Sequence, residues 1–293
     1  MDITQQQQQQ QQQKETEQAA LWNGRAGHAW VDAQELLDAI LQPFEDRLVD
    51  EVRAGSAHQV LDVGCGTGAT TLAVARLLAG TQGSCIGVDI SQPMTAAARA
   101  RAQQEGVPAS FICADAQRHA FEPASFDMII SRFGVMFFDS PVRAFANLRH
   151  AARGGAALRA LAWRSPAENP FMTTAERAAA PLLPNMPARQ PDAPGQFALA
   201  DPRRVRSILE ESGWTGIDIQ PVDVDCTMPE KDLRGYFTRL GPLGLMLQEQ
   251  VADERTRAQV IDTVRAAFDP YVHGSEVRFT AACWMIGAQA ASA

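Results

Sequence analysis

Short apolar runs alternate with stretches of helical spacing between His58 and Trp163, which predicts strands that alternate with helices. Ser91 and Ser140 stand where helix N-caps are expected, and glycines end the helices. The predicted strands are Gln59–Val63, Ser84–Asp89, Ser110–Cys113, Phe126–Ser131 and Ala156–Trp163. Strands that alternate with helices form a parallel sheet covered on both faces, so the pattern predicts an α/β fold.

The flanking segments follow different patterns. From Leu21 to Val52, apolar positions recur at helical spacing and predict two helices divided at Pro43. Residues 164–200 contain seven prolines, which is too many for regular layers. The segments predicted after them are a helix (Pro202–Ser212), a strand (Gly216–Asp225), a mixed region (Glu230–Phe268) and a last strand (Glu276–Gly287).

These patterns divide the chain into consecutive parts. The glutamine tract Gln5–Gln13 offers almost nothing apolar to offset the ordering entropy, so we expect its surroundings to be disordered. The predicted parts are a disordered tail (1–18), an N-terminal helical cap (19–56), the alternating core (57–164), a cap insertion (165–200) and the C-terminal part of the sheet (201–293), which carries a second cap insertion (226–275).

Charge and cysteine usage exclude several classes of function. The 293 residues carry 26 Lys and Arg against 34 Asp and Glu, a net charge of −8, which argues against nucleic acid as a partner. None of the five cysteines forms a C-x-x-C pair, so we expect buried free thiols in a reducing compartment and no metal site. The start MDITQQQ has neither a basic nor an apolar stretch, and no apolar run approaches about 20 residues. We therefore expect a cytoplasmic protein without a membrane span; its oligomeric state stays open.

The segment VLDVGCGTG, residues 60–68, places Gly64, Gly66 and Gly68 where the first strand turns into its helix. Glycine allows a ligand close to the backbone, and a helix N-terminus presents unpaired N–H groups. Ligands of open α/β sheets bind at the carboxyl ends of the strands. We therefore expect the binding site at this turn.

Three carboxylates accompany the glycines. Asp62 lies inside the otherwise apolar first strand, Asp89 ends the second strand and Asp115 follows the third. A carboxylate at the end of the second strand is able to accept hydrogen bonds from both hydroxyls of a ribose. A polar residue after the third strand is able to reach an adenine amine. Each feature alone is common, but their combination in this order is specific.

A nicotinamide-dependent oxidoreductase is the first rival interpretation, because Gly64-x-Gly66-x-x-Ala69 satisfies the loose dinucleotide fingerprint. The common short-chain type needs a Tyr-x-x-x-Lys pair. Neither Tyr236 nor Tyr271 has a lysine four residues further on, which argues against this rival.

The core resembles the class I S-adenosylmethionine-dependent methyltransferases, and among them the ubiquinone and menaquinone biosynthesis methyltransferases. Arg153 stands where that family usually has a proline. The resemblance implies a Rossmann-like, seven-stranded, mostly parallel sheet with an antiparallel last strand, helices on both faces, and a cap built from the N-terminal helices and the insertions. The segments that carry it are VLDVGCGTG (60–68), GVDIS (87–91), ADA (114–116), FDMIISRFGVMFF (126–138) and the helix before Gly154 and Gly155, so that it covers about residues 58–164.

The resemblance also implies roles for individual residues toward S-adenosyl-L-methionine. Asp62 would support the amino group, Asp89 the ribose, Asp115 and Ala116 the adenine, and the segment from Ser131 to Phe133 would line the side of methyl transfer. The residues expected to contact the cofactor are Asp62, Gly64, Cys65, Gly66, Gly68, Asp89, Ile90, Asp115, Ala116, Ser131 and Phe133.

Two histidines are candidates for a catalytic base, since imidazole titrates near neutrality. His28 lies in an aromatic, glycine-rich segment before the core, and such segments close over the cofactor in this family. His273 precedes the antiparallel last strand. A carboxylate acceptor would need no base. Arg132 and Arg164 follow the fourth and fifth strands, and each either faces the pocket or pairs with a neighbouring carboxylate.

The sequence thus predicts an enzyme that transfers a methyl group to a small, apolar or aromatic, organic acceptor by in-line displacement. The alternative is a methyltransferase-like protein that binds the cofactor but serves as a scaffold or regulator. The sequence does not distinguish methylation of oxygen, nitrogen, sulfur or carbon.

Overall fold

The computed structural model describes residues 17–186, 189–190, 193–249 and 253–292. The glutamine tract lies outside the described residues. The strands are β1 (Gln59–Val63), β2 (Ser84–Asp89), β3 (Ser110–Cys113), β4 (Phe126–Arg132), β5 (Ala152–Trp163), β6 (Trp214–Pro229), β7 (Val272–His273) and β8 (Glu276–Ala290). The helices are α1 (Arg25–Asp32), α2 (Gln34–Ala54), α3 (Ala69–Leu78), α4 (Gln92–Glu105), α5 (Pro141–Ala151), α6 (Pro170–Ala179), α7 (Pro202–Glu211), α8 (Glu230–Arg239), α9 (Gly241–Glu249) and α10 (Glu254–Ala267).

The strands form one sheet in the order β3-β2-β1-β4-β5-β8-β6, with β7 paired to β8. The pairs among β1 to β5 are parallel. The strand order reverses between β1 and β4, and such a switch point at the carboxyl ends of the strands is where open α/β sheets bind ligands. The register pairs Val63 with Val88, and Asp89 with Cys113, so the ends of β1, β2 and β3 lie side by side.

The Rossmann-like, mostly parallel sheet with an antiparallel last strand is confirmed, since β8 runs antiparallel to β5 and to β6. The described strands number eight where seven were expected, because the two residues of β7 pair with the start of β8. Both β6 and β8 are longer than predicted. They pair with each other from Trp214 opposite Ala290 to Pro229 opposite Glu276, well past the end of β5.

The prediction that Pro43 divides the N-terminal helices is wrong. Pro43 lies inside the continuous helix α2, and the break falls at Ala33, between α1 and α2. Proline disfavours a helix interior because it removes one hydrogen bond. Here the helix buries Phe44 and Leu48 completely against the sheet, and this packing outweighs the local cost.

One helix, α6, lies within the proline-rich stretch 164–200, which was expected to hold too many prolines for regular layers. Pro170 occupies its first turn, where a missing N–H costs nothing, and Pro181 comes just after its end. The helix is held by an aromatic core in which Phe171 stacks on Phe279 of β8 with ring centroids 3.8 Å apart. The described helices include none with the length and apolarity to cross a bilayer.

Candidate active site

The glycine turn between β1 and α3 is shaped by backbone conformations that favour glycine. Gly64, Gly66 and Gly68 have φ angles of +70°, +54° and +89°. A Cβ on Gly64 would lie 2.5 Å from the Cα of Gly134, so the turn packs directly on the segment after β4. A Cβ on Gly66 would meet only the Met94 sulfur, at 3.8 Å. The turn is therefore tight toward the protein and open at Gly66, where a ligand is able to approach.

Asp89 at the end of β2 fixes the glycine turn. One carboxylate oxygen accepts a hydrogen bond from the Gly66 N–H at 2.8 Å, and the other accepts one from the Ser91 N–H at 2.9 Å. Burial raises the pKa of Asp89, and these backbone N–H groups lower it. An ionised carboxylate offers about four acceptor positions. Asp89 thus retains acceptor capacity for the hydroxyls of a ribose.

The end of β3 supplies the next polar group along the sheet edge. Asp115 is half-buried, and its carboxylate accepts a hydrogen bond from the Gln117 N–H at 2.9 Å. The Ala116 carbonyl accepts one from the Asn147 side chain at 2.8 Å. The backbone N–H of Ala114 donates to the Asp89 carbonyl at 2.9 Å, which joins the ends of β2 and β3.

Asp62 is the most deeply buried carboxylate at the turn, with 1% of its surface exposed. Its Oδ2 accepts a hydrogen bond from the Thr71 hydroxyl at 2.7 Å, whereas its buried Oδ1 has no hydrogen-bond partner. Burial raises the pKa of Asp62 to about 6, although the Thr71 bond and Arg132 lower it. An unpaired buried acceptor is costly, so Oδ1 fits a ligand that brings a donor.

Ser131 has a structural role in the turn. Its hydroxyl donates to the Val63 carbonyl at 2.7 Å and accepts hydrogen bonds from the N–H groups of Gly134 and Val135. The side chain therefore ties the end of β4 to the end of β1 and is fully buried. Its predicted contact with a cofactor stays a prediction.

Phe133 adopts an unusual backbone conformation at the end of β4, with a φ of +64°. Its ring stacks on Trp163 at 4.2 Å and meets Phe44 of α2 edge-on at 4.9 Å. A non-glycine residue in this region is strained by about 1 kcal/mol or more, and such strain concentrates at functional sites. The three rings form an aromatic wall beside the glycine turn, contributed by β5, α2 and the residue that follows β4.

The N-terminal segment lies on the β2–α4 connection. Ser91 donates its hydroxyl to the Trp22 carbonyl at 2.7 Å. The Asn23 side chain donates to the Ile90 carbonyl at 3.1 Å and accepts from the Gln92 N–H at 2.8 Å. The N-terminal segment therefore packs on the connection that follows Asp89. Its role as a cap over the cofactor stays a prediction.

Three charged side chains between α2 and the turn, those of Asp38, Glu45 and Arg101, were missed by the sequence interpretation, whereas Arg132 was named as facing the pocket or pairing with a neighbouring carboxylate. Arg101 of α4 donates to the Thr67 carbonyl at 2.9 Å and pairs with Asp38 of α2 at 2.9 Å. Glu45 of α2 is buried and lies 3.9 Å from the Arg132 guanidinium. The signal was present in the sequence, because Glu45 falls on the apolar stripe of α2.

Cys65 and the two histidines have less specific surroundings. Burial raises the pKa of the Cys65 thiol, so it remains protonated and serves as a small buried side chain. His28 is exposed, with Nδ1 2.9 Å from the Gly24 carbonyl oxygen. In the sheet register His273 lies opposite Glu276 of β8. Cys283, which lies opposite Trp163, follows Glu276 by seven positions along the same strand. That is roughly 23 Å along the strand at about 3.3 Å per residue. The role of each histidine as a base stays a prediction.

Comparison with known proteins agrees with this geometry. Residues 60–155, from the first strand through the glycines after α5, match a family described as "Methyltransferase domain". These residues contain the glycine turn, Asp62, Asp89, Asp115 and Phe133. They are a methyltransferase domain. The expected membership in the S-adenosylmethionine-dependent methyltransferases is thereby confirmed at the level of this domain.

Two relatives show how far the similarity extends. The chain is 35% identical over 106 residues to aklanonic acid methyltransferase DauC of Streptomyces sp. strain C5, an alignment that covers 36% of this chain and 48% of DauC. It is 29% identical over 125 residues to the demethylmenaquinone methyltransferase of Thermus thermophilus, covering 43% and 56% respectively. The chain therefore matches about half the length of these relatives.

The fold extends beyond the matched sequence. The YcgJ protein of Bacillus subtilis superposes with a TM-score of 0.55 and 17% identity, covering 85% of this chain and 98% of YcgJ. At that identity the likeness concerns the fold alone. The methyltransferase domain and the strands that follow it thus belong to one architecture.

Proposed function

We propose that this chain is an S-adenosylmethionine-dependent methyltransferase acting on a small organic acceptor. The observation that carries the proposal is the set of carboxylates Asp62, Asp89 and Asp115 around one glycine turn, at the carboxyl ends of three adjacent strands. The partnerless buried Oδ1 of Asp62 and the open side of Gly66 fit a ligand with a cationic amino group.

Each part of this edge of the sheet has a distinct task in the proposal. Asp89 would accept hydrogen bonds from the ribose hydroxyls, and Asp62 would face the amino group. Asp115 and Ala116 would contact the adenine. When bound, S-adenosylmethionine supplies an electrophilic methyl group on a sulfonium. Holding the acceptor in line with that methyl supplies much of the rate acceleration in such a displacement.

The aromatic wall favours an apolar or aromatic acceptor. Phe133 and Trp163 are stacked, Phe44 meets both edge-on, and all three rings are buried, so this side of the site is apolar. Aromatic faces also stabilise a nearby cation. The names of the two relatives, aklanonic acid methyltransferase and demethylmenaquinone methyltransferase, agree with small organic acceptors.

An acceptor screen tests this proposal. The purified full chain is incubated with radiolabelled S-adenosylmethionine and small aromatic compounds that bear carboxyl, phenol, amine or thiol groups, with bulk tRNA and protein as further arms. We expect label on at least one small aromatic compound, and none with the Asp89→Ala protein. Label only on tRNA or protein would contradict a small acceptor. Tight cofactor binding without any transfer would favour the scaffold alternative.

A further inference from the structure

Arg132, the last residue of β4, places a poorly satisfied guanidinium beside the glycine turn. Its side chain is 12% exposed. Its hydrogen bond to the Leu41 carbonyl is long, at 3.4 Å, and the Glu45 carboxylate lies 3.9 Å away. A guanidinium has five N–H donors, and a buried charge is costly unless it is fully paired. Two long contacts from one helix leave most of this capacity for a ligand.

Asp62 on the neighbouring strand provides the opposite charge. The register pairs Asp62 with Ile130, so Arg132 lies two residues further toward the carboxyl edge. The Arg132 charge acts on Asp62, where it lowers the pKa that burial raises. The Oδ1 atom of Asp62 is buried without a hydrogen-bond partner. A carboxylate and a guanidinium, each incompletely paired, therefore flank the same glycine turn.

The balance of charges indicates what completes this arrangement. With Asp62 ionised, the single cation Arg132 faces two carboxylates, Asp62 and Glu45, while Arg101 and Asp38 are already paired with each other at 2.9 Å. A ligand carrying an ammonium and a carboxylate on one carbon would give Asp62 a cation and Arg132 a second anion. Every charge at the turn would then have a partner.

We propose that Arg132 binds the carboxylate at the amino-acid end of S-adenosylmethionine, with Glu45 as the positioning residue that holds the guanidinium against α2. This inference rests on the proposed function. Guanidinium–carboxylate pairing is geometrically specific and stronger than a neutral hydrogen bond. A carboxylate on the acceptor would have the same chemistry, so the test has to separate the two sources.

The test compares two ligands that differ at the amino-acid end. S-adenosylhomocysteine carries the ammonium and carboxylate, whereas 5′-methylthioadenosine shares the adenine, ribose and thioether but lacks both. Calorimetric titration of Arg132→Met should show S-adenosylhomocysteine binding weakened about 10- to 100-fold, as expected for one charged hydrogen-bonding pair. Binding of 5′-methylthioadenosine should change less than about twofold, within the scatter expected when a site is left intact.

Arg159→Met is the matched control. Arg159 of β5 forms an ion pair with Glu51 of the same helix α2 at 2.6 Å. In the sheet register Arg159 lies opposite Ile130 of β4, away from the turn. It should leave both affinities unchanged. If Arg132→Met fails to fold, Arg132→Gln, which is still able to donate to the Leu41 carbonyl, carries the same comparison.

The possible outcomes separate the two proposals. Unchanged S-adenosylhomocysteine binding in the Arg132 variant overturns the assignment and leaves only an acceptor carboxylate as its ligand. Equal losses for both ligands also overturn it, because they indicate a structural role. If the wild-type chain binds neither ligand, the proposed function itself fails.

Discussion

Replacing Asp89 by alanine should weaken the binding of S-adenosylhomocysteine at least about 100-fold, because two charge-assisted hydrogen bonds to ribose hydroxyls contribute about 3 kcal/mol or more together. The variant also leaves the N–H groups of Gly66 and Ser91 without their acceptor, so the glycine turn loses its fixed shape. Both effects act on the same ligand. Calorimetric titration of the variant measures their sum.

Asp127→Ala provides a control at the opposite edge of the sheet. The Asp127 carboxylate also accepts backbone hydrogen bonds, from His58 at 3.1 Å and Gln59 at 2.9 Å, but it lies near the amino end of β4. We expect this variant to lose stability and to bind S-adenosylhomocysteine as the wild type does. If Asp89→Ala binds S-adenosylhomocysteine with an affinity within threefold of the wild type, the assignment of Asp89 to the ribose is contradicted.

Replacing Asp62 by asparagine should make the ligand-free protein more stable at neutral pH and the binding of S-adenosylhomocysteine weaker. Burial raises the Asp62 pKa from 3.8 to about 6, a shift equivalent to about 3 kcal/mol of penalty on the ionised form. Asparagine removes the charge and keeps an acceptor for Thr71, although its amide then meets the partnerless position of Oδ1. The net gain in unfolding free energy should be about 1–2 kcal/mol once this unsatisfied amide is counted.

The pH dependence gives the sign of this effect. The folded protein holds the Asp62 proton more tightly than the unfolded chain. The unfolding free energy of the wild type therefore falls as Asp62 loses this proton, between about pH 4 and about pH 6. The variant should therefore be more stable than the wild type above about pH 6 and less stable near pH 4, where Asp62 keeps its proton and only the cost of the unsatisfied amide remains. Chemical denaturation at several pH values measures the difference in unfolding free energy between the variant and the wild type. Thr71→Val is the comparison variant, because it is destabilised but retains the Asp62 carboxylate. A variant less stable than the wild type at pH 7 would show that the charge is well satisfied without a ligand.

The alternating core was predictable because its signals are local. Three glycines with positive φ can be recognised from VLDVGCGTG, since few other residues adopt that backbone conformation. The N-cap at Ser91 and the glycine after α4 likewise mark the ends of that helix, and the structure places them as predicted. Asp89 was identified for the same reason, because the end of β2 fixes its position at the turn.

The remaining features depend on contacts between distant parts of the chain. Pro43 does not interrupt α2 because the sheet beneath the helix stabilises it. Glu45 and Arg132, 87 residues apart, meet only once α2 packs across the sheet. The stacking of Phe133 on Trp163 likewise follows from the register of β4 and β5. No local pattern reports such pairings, and the specificity of the site depends on them.

Calorimetric titration of the wild-type chain with S-adenosylmethionine, S-adenosylhomocysteine and NADH tests the central claim most directly. The arrangement of Asp62, Asp89 and Asp115 around the glycine turn predicts micromolar binding of both sulfur compounds and no binding of NADH. Binding of NADH with neither sulfur compound would contradict the claim and return the glycine turn to the dinucleotide-binding enzymes.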